Sequence, residues 1–387
     1  MKQFFSNTIV LLLLAVAVGI VTGTFIPVAG MKAVLVVKDI CGQIIFFLIP
    51  LIIFGFVAPS IASLRGNVSR LITYAFILAY VSSIGVAFLA MLAGWEIIPL
   101  LHIAPASDSL RELPEVLFKM DIPPVLNVMS TLLLSVFIGL GTIWIGSKEI
   151  ETLLTQFRDI VLLLVKRVLV PLLPFYIAAN FCALTYKGDI SQLWVFLPVI
   201  LIVIVGHYVW LLVLYLIASV YSRRNGWEVV RHYLPAYITA LGTMSSAATL
   251  GVALECAHKS RVLDKRIVDF GIPLFANIHL CGSVLTETFF VCVVSQLLYG
   301  HLPDVAVMIQ FILLLGVFAV GAPGVPGGTV LASLGLVISV LGFDDTGTAL
   351  LITIFALQDS FGTACNITGD GALTLMVDAY DKRHVEN

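Results

Sequence analysis

The densest group of polar residues in this chain lies in an apolar stretch, Gln358-Asp359-Ser360-Phe361-Gly362-Thr363-Ala364-Cys365-Asn366-Ile367-Thr368-Gly369-Asp370. Asp359, Thr363, Asn366 and Asp370 recur at helical spacing, so a helix carries them on one stripe. Two carboxylates, a hydroxyl and an amide among apolar flanks make a candidate site for a small solute or an ion. A polar seam that merely glues helices needs one amide, not four polar groups. A second group runs from Pro273 to Phe290 and contains Asn277, His279, Gly282, Ser283 and Glu287. Glu287 sits among Val284, Leu285, Phe289 and Phe290. Such neighbours favour the neutral carboxyl, which makes Glu287 a proton-carrier candidate; pairing with a cation or with backbone is the alternative. His279 either titrates or serves as a hydrogen-bonded packing residue.

The elements that hold these residues are membrane helices. Of 387 residues, 60% are hydrophobic and 11% are charged, and the mean hydropathy is +1.09. A soluble domain carries about 25% charged residues, so this chain cannot cover a water-facing surface. Soluble enzymes, nucleic-acid binders and secreted modules are excluded, and the net charge of -2 points to no partner. Cys41, Cys182, Cys256, Cys281, Cys292 and Cys365 are scattered without a paired motif, and read as small apolar residues rather than a disulfide framework or zinc site. A charge near the bilayer centre costs about 2.5–3.5 kcal/mol on insertion scales, so the two polar groups above need a functional reason.

Apolar runs near 8–27, 42–64, 70–94, 126–147, 157–185 and 192–222 each fit one helix. The first is a membrane helix rather than a signal peptide. The segments near 233–257, 267–298, 305–343 and 347–377 are interrupted by small and polar residues. Gly321-Ala322-Pro323-Gly324-Val325-Pro326-Gly327-Gly328 breaks a helix, and Thr243-Met244-Ser245-Ser246 forms a small polar tip in 233–257. Irregular backbone at membrane depth is tolerated where protein buries it or where it lines a cavity. Two interrupted segments of this kind point to re-entrant hairpins around a midplane transport site.

With the N-terminus inside and both hairpins re-entrant, the outside loops carry only Lys32, Lys38, Arg111, Lys119 and Lys187 of the 21 Lys and Arg. Apart from Lys166 and Arg167, which fall within the fifth helix, the rest lie in the inside loops, Lys2, Arg65, Arg70, Lys148 and Arg158 among them. This bias places both termini in the cytoplasm. Lys166 and Arg167 have no assigned role beyond snorkelling toward the cytoplasmic face.

The order of six helices, a Ser-Ser hairpin, a broken helix, a Gly-Val-Pro-Gly hairpin and a last helix with Asp…Asn…Gly-Asp resembles the dicarboxylate/amino acid:cation symporter family. These are the glutamate transporter homologues, including bacterial serine/threonine symporters, which the Leu-Gln-Asp-Ser run resembles most. Ile49-Pro50-Leu51 is similar to the family's Met-Pro signature. The resemblance implies an all-α polytopic membrane protein with eight transmembrane helices, two re-entrant hairpins and an elevator fold. It also implies a homotrimer in the bacterial inner membrane, surrounded by lipid. Residues 1–222 would hold the first six helices, of which the third and sixth move. Residues 223–387 would form the transport core, with hairpin 1 at 233–257, helix 7 at 267–298, hairpin 2 at 305–343 and helix 8 at 347–377.

The resemblance also assigns roles. Asp359 is similar to the aspartate that pairs with a substrate amino group. Asn366 and Thr363 match positions near the substrate carboxylate, as do Ser245 and Ser246 in hairpin 1 and the backbone of Val325 and Gly327 in hairpin 2. The arginine of acidic amino acid carriers is Gly362 here, and the hairpin 1 arginine of archaeal aspartate carriers is Met244. A buried side-chain carboxylate without a partner costs about 3–5 kcal/mol, so the expected substrate is a small neutral amino acid. Asp370 and Asn366 resemble members of one sodium site, and Asn277 with Ala319 and Ala322 marks a second, built from backbone. A third sodium site is degraded: its aspartate is Cys281, and its third-helix ligands align, without gaps, with Ala75, Leu78 and Ala79. Another family aspartate is Phe355. Glu287 falls where proton-coupled members carry glutamate.

The expectation is a secondary active symporter, not an enzyme, with no cofactor and with H+, Na+ or both as coupling ion. Protons would bind at Glu287 or His279. A dicarboxylate or acidic amino acid symporter is the rival and would need a cation such as protonated His279. A channel would need a continuous polar pore, and a membrane enzyme a nucleophile motif; the sequence offers neither.

Overall fold

The computed structural model describes residues 8–62, 69–101, 113–116, 118, 122–187, 196–322, 324 and 326–385. All regular structure among them is helical. The first part comprises α1 (Thr8–Phe25), α2 (Val28–Ala62), α3 (Ser69–Ile97), α4 (Val128–Ile145), α5 (Lys148–Leu164), α6 (Val170–Lys187) and α7 (Phe196–Ser222). A π-helical turn, Val165–Leu169, joins α5 to α6. A short α8 (Trp227–Val230) precedes the helix pair α9 (Leu234–Thr243) and α10 (Ser246–His258). Then follow α11 (Lys265–Ile278), α12 (Cys281–Tyr299), the pair α13 (Val305–Gly321) and α14 (Gly328–Ser339), and α15 (Asp345–Val385).

Among the described residues, six spans, some made of two helices in line, are long and apolar enough to cross a bilayer. Two of the sequence boundaries need correction. The second helix begins at Val28, not near 42, so Lys32 and Lys38 lie in a helix and not in a loop. Only Ile26-Pro27 separates it from α1. Likewise the fifth run extends from Lys148 to Lys187 through the π turn, so Lys148 and Arg158 are helical. In both cases hydropathy marks only the part of the helix that matches hydrocarbon thickness, while the helix itself continues with charged residues. Lys166 and Arg167 lie on the π turn and are exposed. Lys2, Arg65, Arg111 and Lys119 lie outside the described residues.

Local signals set the helix ends. Asn127, Ser147, Ser245 and Asp264 cap α4, α5, α10 and α11 with side-chain acceptors. Gly146 closes α4 in the left-handed conformation. Two packing groups result. In one, α2 contacts α4, α5 and α6, while α1 lies on α6. In the other, α12 packs against α3 and α15, and α15 against α7, α9 and α11. Phe275, Phe289, Phe290, Phe311, Phe318 and Phe355 are among its largest buried side chains. All six cysteines are free and buried.

Candidate functional site

The site forms where two helix pairs and a broken helix meet the stripe on α15. Asp359, Thr363, Asn366 and Asp370 are all buried on that one helix. Opposite them, α11 stops at Ile278 and α12 starts at Cys281; between them His279 is extended and Leu280 is non-helical, at φ -117° and ψ 43°. Such a break exposes the first N–H groups of α12. Asn366 satisfies two of them: its Oδ1 accepts from Gly282 N at 2.7 Å and Ser283 N at 3.2 Å. Its Nδ2 donates to Ser283 Oγ at 3.0 Å. The amide expected at a substrate carboxylate therefore caps the broken helix here. Gly282 permits this approach, because a Cβ there would fall 2.6 Å from Cys365 Cβ and onto the Gly362 carbonyl. Gly362 is less confined, with Ser283 N at 3.4 Å from its would-be Cβ.

The two hairpin tips close on each other. Met244 turns the first tip at φ 50°, and Ser245 Oγ donates to the Gly324 carbonyl of the second at 2.7 Å. Ser246 opens α10 and is buried. Gly327 adopts φ +70°, the left-handed region suited to glycine. Its N–H donates to Asp359 Oδ2 at 2.7 Å. Beside this bond lies a cavity of about 20 Å³, lined by Met244, Pro326, Phe355, Ala356 and Asp359, with Val170 and Leu173 of α6. That is room for about one water. No Lys or Arg is among the described residues that line it. Val325 lies outside the described residues. Thr363 is buried one turn beyond Asp359.

The titratable residues fall into two buried sets. Glu287 accepts a hydrogen bond from Ser333 Oγ, which ties α12 to α14. Its other oxygen has no partner among the described residues. His279 Nδ1 lies 2.9 Å from Asp370 Oδ1, and its Nε2 lies 2.9 Å from Ser82 Oγ of α3. Asp370 Oδ2 is unpartnered among the described residues. Ser82 of α3 thus meets the helix break. The asparagine Asn277 is exposed, and its Nδ2 donates to the Pro273 carbonyl at 2.8 Å. Ala319 and Ala322 are buried at the end of α13. The hairpin 2 tip touches the end of α11, since a Cβ on Gly324 would lie 3.3 Å from the Ala276 carbonyl.

Sequence reasoning missed Ser82, Ser333 and His207. His207 of α7 sits within 3.0 Å of both the Gly282 carbonyl and Thr286 Oγ1. A polar residue in the middle of an apolar run was the available signal for each. Gln358 was quoted without a role, yet it is fully buried with both amide atoms unpartnered among the described residues.

Residues 9–380 match the profile of a family described as the sodium:dicarboxylate symporter family. Excitatory amino acid transporter 3 of Oryctolagus cuniculus is 32% identical over 180 residues, covering 46% of this chain and 33% of that protein. Excitatory amino acid transporter 1 of Rattus norvegicus is 27% identical over 219 residues, covering 55% of this chain and 39% of that protein. The chain thus spans a third of the first relative's length and 39% of the second's.

Proposed function

Because this chain belongs to the sodium:dicarboxylate symporter family and is a multi-pass membrane protein, we propose that it is a cation-coupled symporter for a small neutral amino acid such as serine, threonine or alanine. The observation that carries this reading is the cavity at Asp359: one carboxylate set among Met244, Phe355 and other apolar side chains. A carboxylate there suits an ammonium group. The absence of a lining cation among the described residues leaves a second, anionic group of the solute unmatched.

The gate follows from the same bond. Gly327 N–H and a substrate ammonium compete for Asp359 Oδ2. Entry of the solute requires the hairpin 2 tip to retract, since the closed cavity holds about one water. Ser245 and Ser246, and the positive end of α10 behind them, would meet the carboxylate. Thr363 and the backbone of Gly327 would complete the site. Glu287 is the proposed proton carrier, and its bond to Ser333 passes its protonation state to hairpin 2. Asp370 is already engaged by His279, which supports reduced dependence on sodium. The packing group of α3, α7 and α9–α15 would move past α1, α2 and α4–α6 as an elevator, in a homotrimer of the bacterial inner membrane with both termini cytoplasmic.

An acidic amino acid or dicarboxylate is the second reading, favoured by the family's description and by the names of the relatives. Uptake into proteoliposomes separates the two. Labelled L-serine should accumulate under a pH gradient, a sodium gradient or both, and Asp359→Ala should abolish it. Accumulation of L-aspartate or succinate without serine would overturn the neutral reading. Introducing the missing cation, Gly362→Arg, should shift preference toward L-aspartate.

A further inference from the structure

A second polar cavity, of about 420 Å³, lies far along α15 from the site above, where the end of α7 meets the last turns of α15. Arg223, Arg224, Lys382 and Arg383 line it. Beneath them Asp378 is fully buried, 2.5 Å from Arg224 Nη1 and 3.1 Å from Lys382 Nζ. Arg383 donates to the Tyr221 carbonyl at 2.6 Å and lies over the Tyr221 ring. Asp381, the next carboxylate of α15, is taken by Arg266. Among the described residues, four cations thus line the cavity and one carboxylate lies beneath them.

Arg223 is the informative member. It follows the last residue of α7 with φ 56°, a position where helices commonly place glycine. Cations that serve only to orient a membrane chain can sit anywhere in a loop and need no left-handed backbone. This one is held in that conformation at the cavity wall, with its side chain exposed. The depth is informative too. Tyr74 stacks on Tyr380 at 4.0 Å and on Tyr221 at 6.4 Å. Tyrosines gather at the membrane–water boundary, so this cluster puts the cavity level with lipid headgroups.

We propose that this cavity binds a phosphate-bearing anion, seated as the headgroup of an acidic phospholipid and bridging α7 to α15. Guanidinium groups suit phosphate because their paired N–H donors match its oxygens. The site is separate from the transport site and does not depend on the substrate assigned above.

The test uses the purified full chain in neutral detergent. Thermal unfolding is followed with added phosphatidylglycerol, with phosphatidylcholine, and with inorganic phosphate against chloride at equal ionic strength. Native mass spectrometry counts retained lipid. The variants are Arg223→Gly, which relieves the left-handed backbone, and Lys382→Gln. Arg223→Gly should melt no lower than the parent without ligand, so loss of folding cannot mimic loss of binding. Phosphatidylglycerol should stabilise the parent, phosphatidylcholine should not, and retained acidic lipid should fall at least fivefold in Arg223→Gly. Stabilisation by inorganic phosphate alone would keep the anion site and overturn its seating by lipid. Equal responses of parent and both variants would overturn the proposal.

Discussion

His279 Nδ1 lies 2.9 Å from Asp370 Oδ1, and neither side chain reaches solvent. The contact joins the break between α11 and α12 to the middle of α15, and Ser82 extends it to α3. Three segments far apart in sequence are thereby fixed through one imidazole. Removing one partner of a buried hydrogen bond, so that the other is left unsatisfied, costs about 1–3 kcal/mol. His279→Ala should therefore lower the melting temperature sharply. Asp370→Asn should cost less, because the amide oxygen still accepts from Nδ1–H. With the imidazole gone, Asp370 gains a second unpartnered oxygen. Sodium should then stabilise His279→Ala more than the parent. Equal losses in the two variants, without a sodium effect, would mean that the ring serves packing alone.

Gly327 offers a graded test of the gate. A Cβ there would meet nothing closer than Leu331 Cδ1 at 3.7 Å, so substitution costs conformation and not space. Gly327→Ala should destabilise the closed tip by about 1–2 kcal/mol. Gly327→Asn should cost less, since asparagine tolerates the left-handed region. Hydrogen exchange across 324–330 reads both, and the order parent, Asn, Ala in increasing exchange is the expected result.

Glu287→Gln fixes the neutral form while keeping an acceptor for Ser333. The fold should survive, with a melting temperature near that of the parent. Accumulation driven by a pH gradient should be lost, and the remaining exchange should become independent of pH. Pumping by a pH gradient in this variant would remove Glu287 from coupling.

Gly282 and Gly362 face each other across α12 and α15 but differ in room. Gly282→Ala drives its methyl into backbone and should cost about 1–3 kcal/mol or more through helix separation. Gly362→Ala makes an ordinary contact and should unfold near the parent temperature. Thermal melts of the two variants, measured side by side, give the comparison.

Much of the architecture could be read from residue order, for physical reasons. The α15 stripe was readable because an uninterrupted helix preserves its periodicity through Gly362, Gly369 and Gly371. The hairpins were readable because Gly324, Pro326 and Gly327 cannot continue a helix. Helix ends were harder: Lys32 and Lys38 looked like loop residues, yet a helix outruns the hydrocarbon that hydropathy detects. Partnerships across the bundle were hidden altogether. Nothing in sequence aims Ser82 at His279 or Ser333 at Glu287, because those contacts depend on how separate helices rotate against one another. Asn366 shows the same limit: its position was recognised, but its use as a cap for α12 follows from where the broken helix ends.

The π turn at Val165–Leu169 leads into the cavity wall. Val170 N–H reaches the Val165 carbonyl, so the turn holds one residue more than an α-helical turn would need. Each α-helical residue rotates the chain by about 100°. The turn absorbs that rotation ahead of Val170 and Leu173, the side chains that α6 presents beside Asp359. Excising one residue within 165–169 would convert the π turn to an α turn and leave both α5 and that wall in place. The same excision between Val170 and Leu173 would swing Leu173 relative to Val170 and open the side of the cavity.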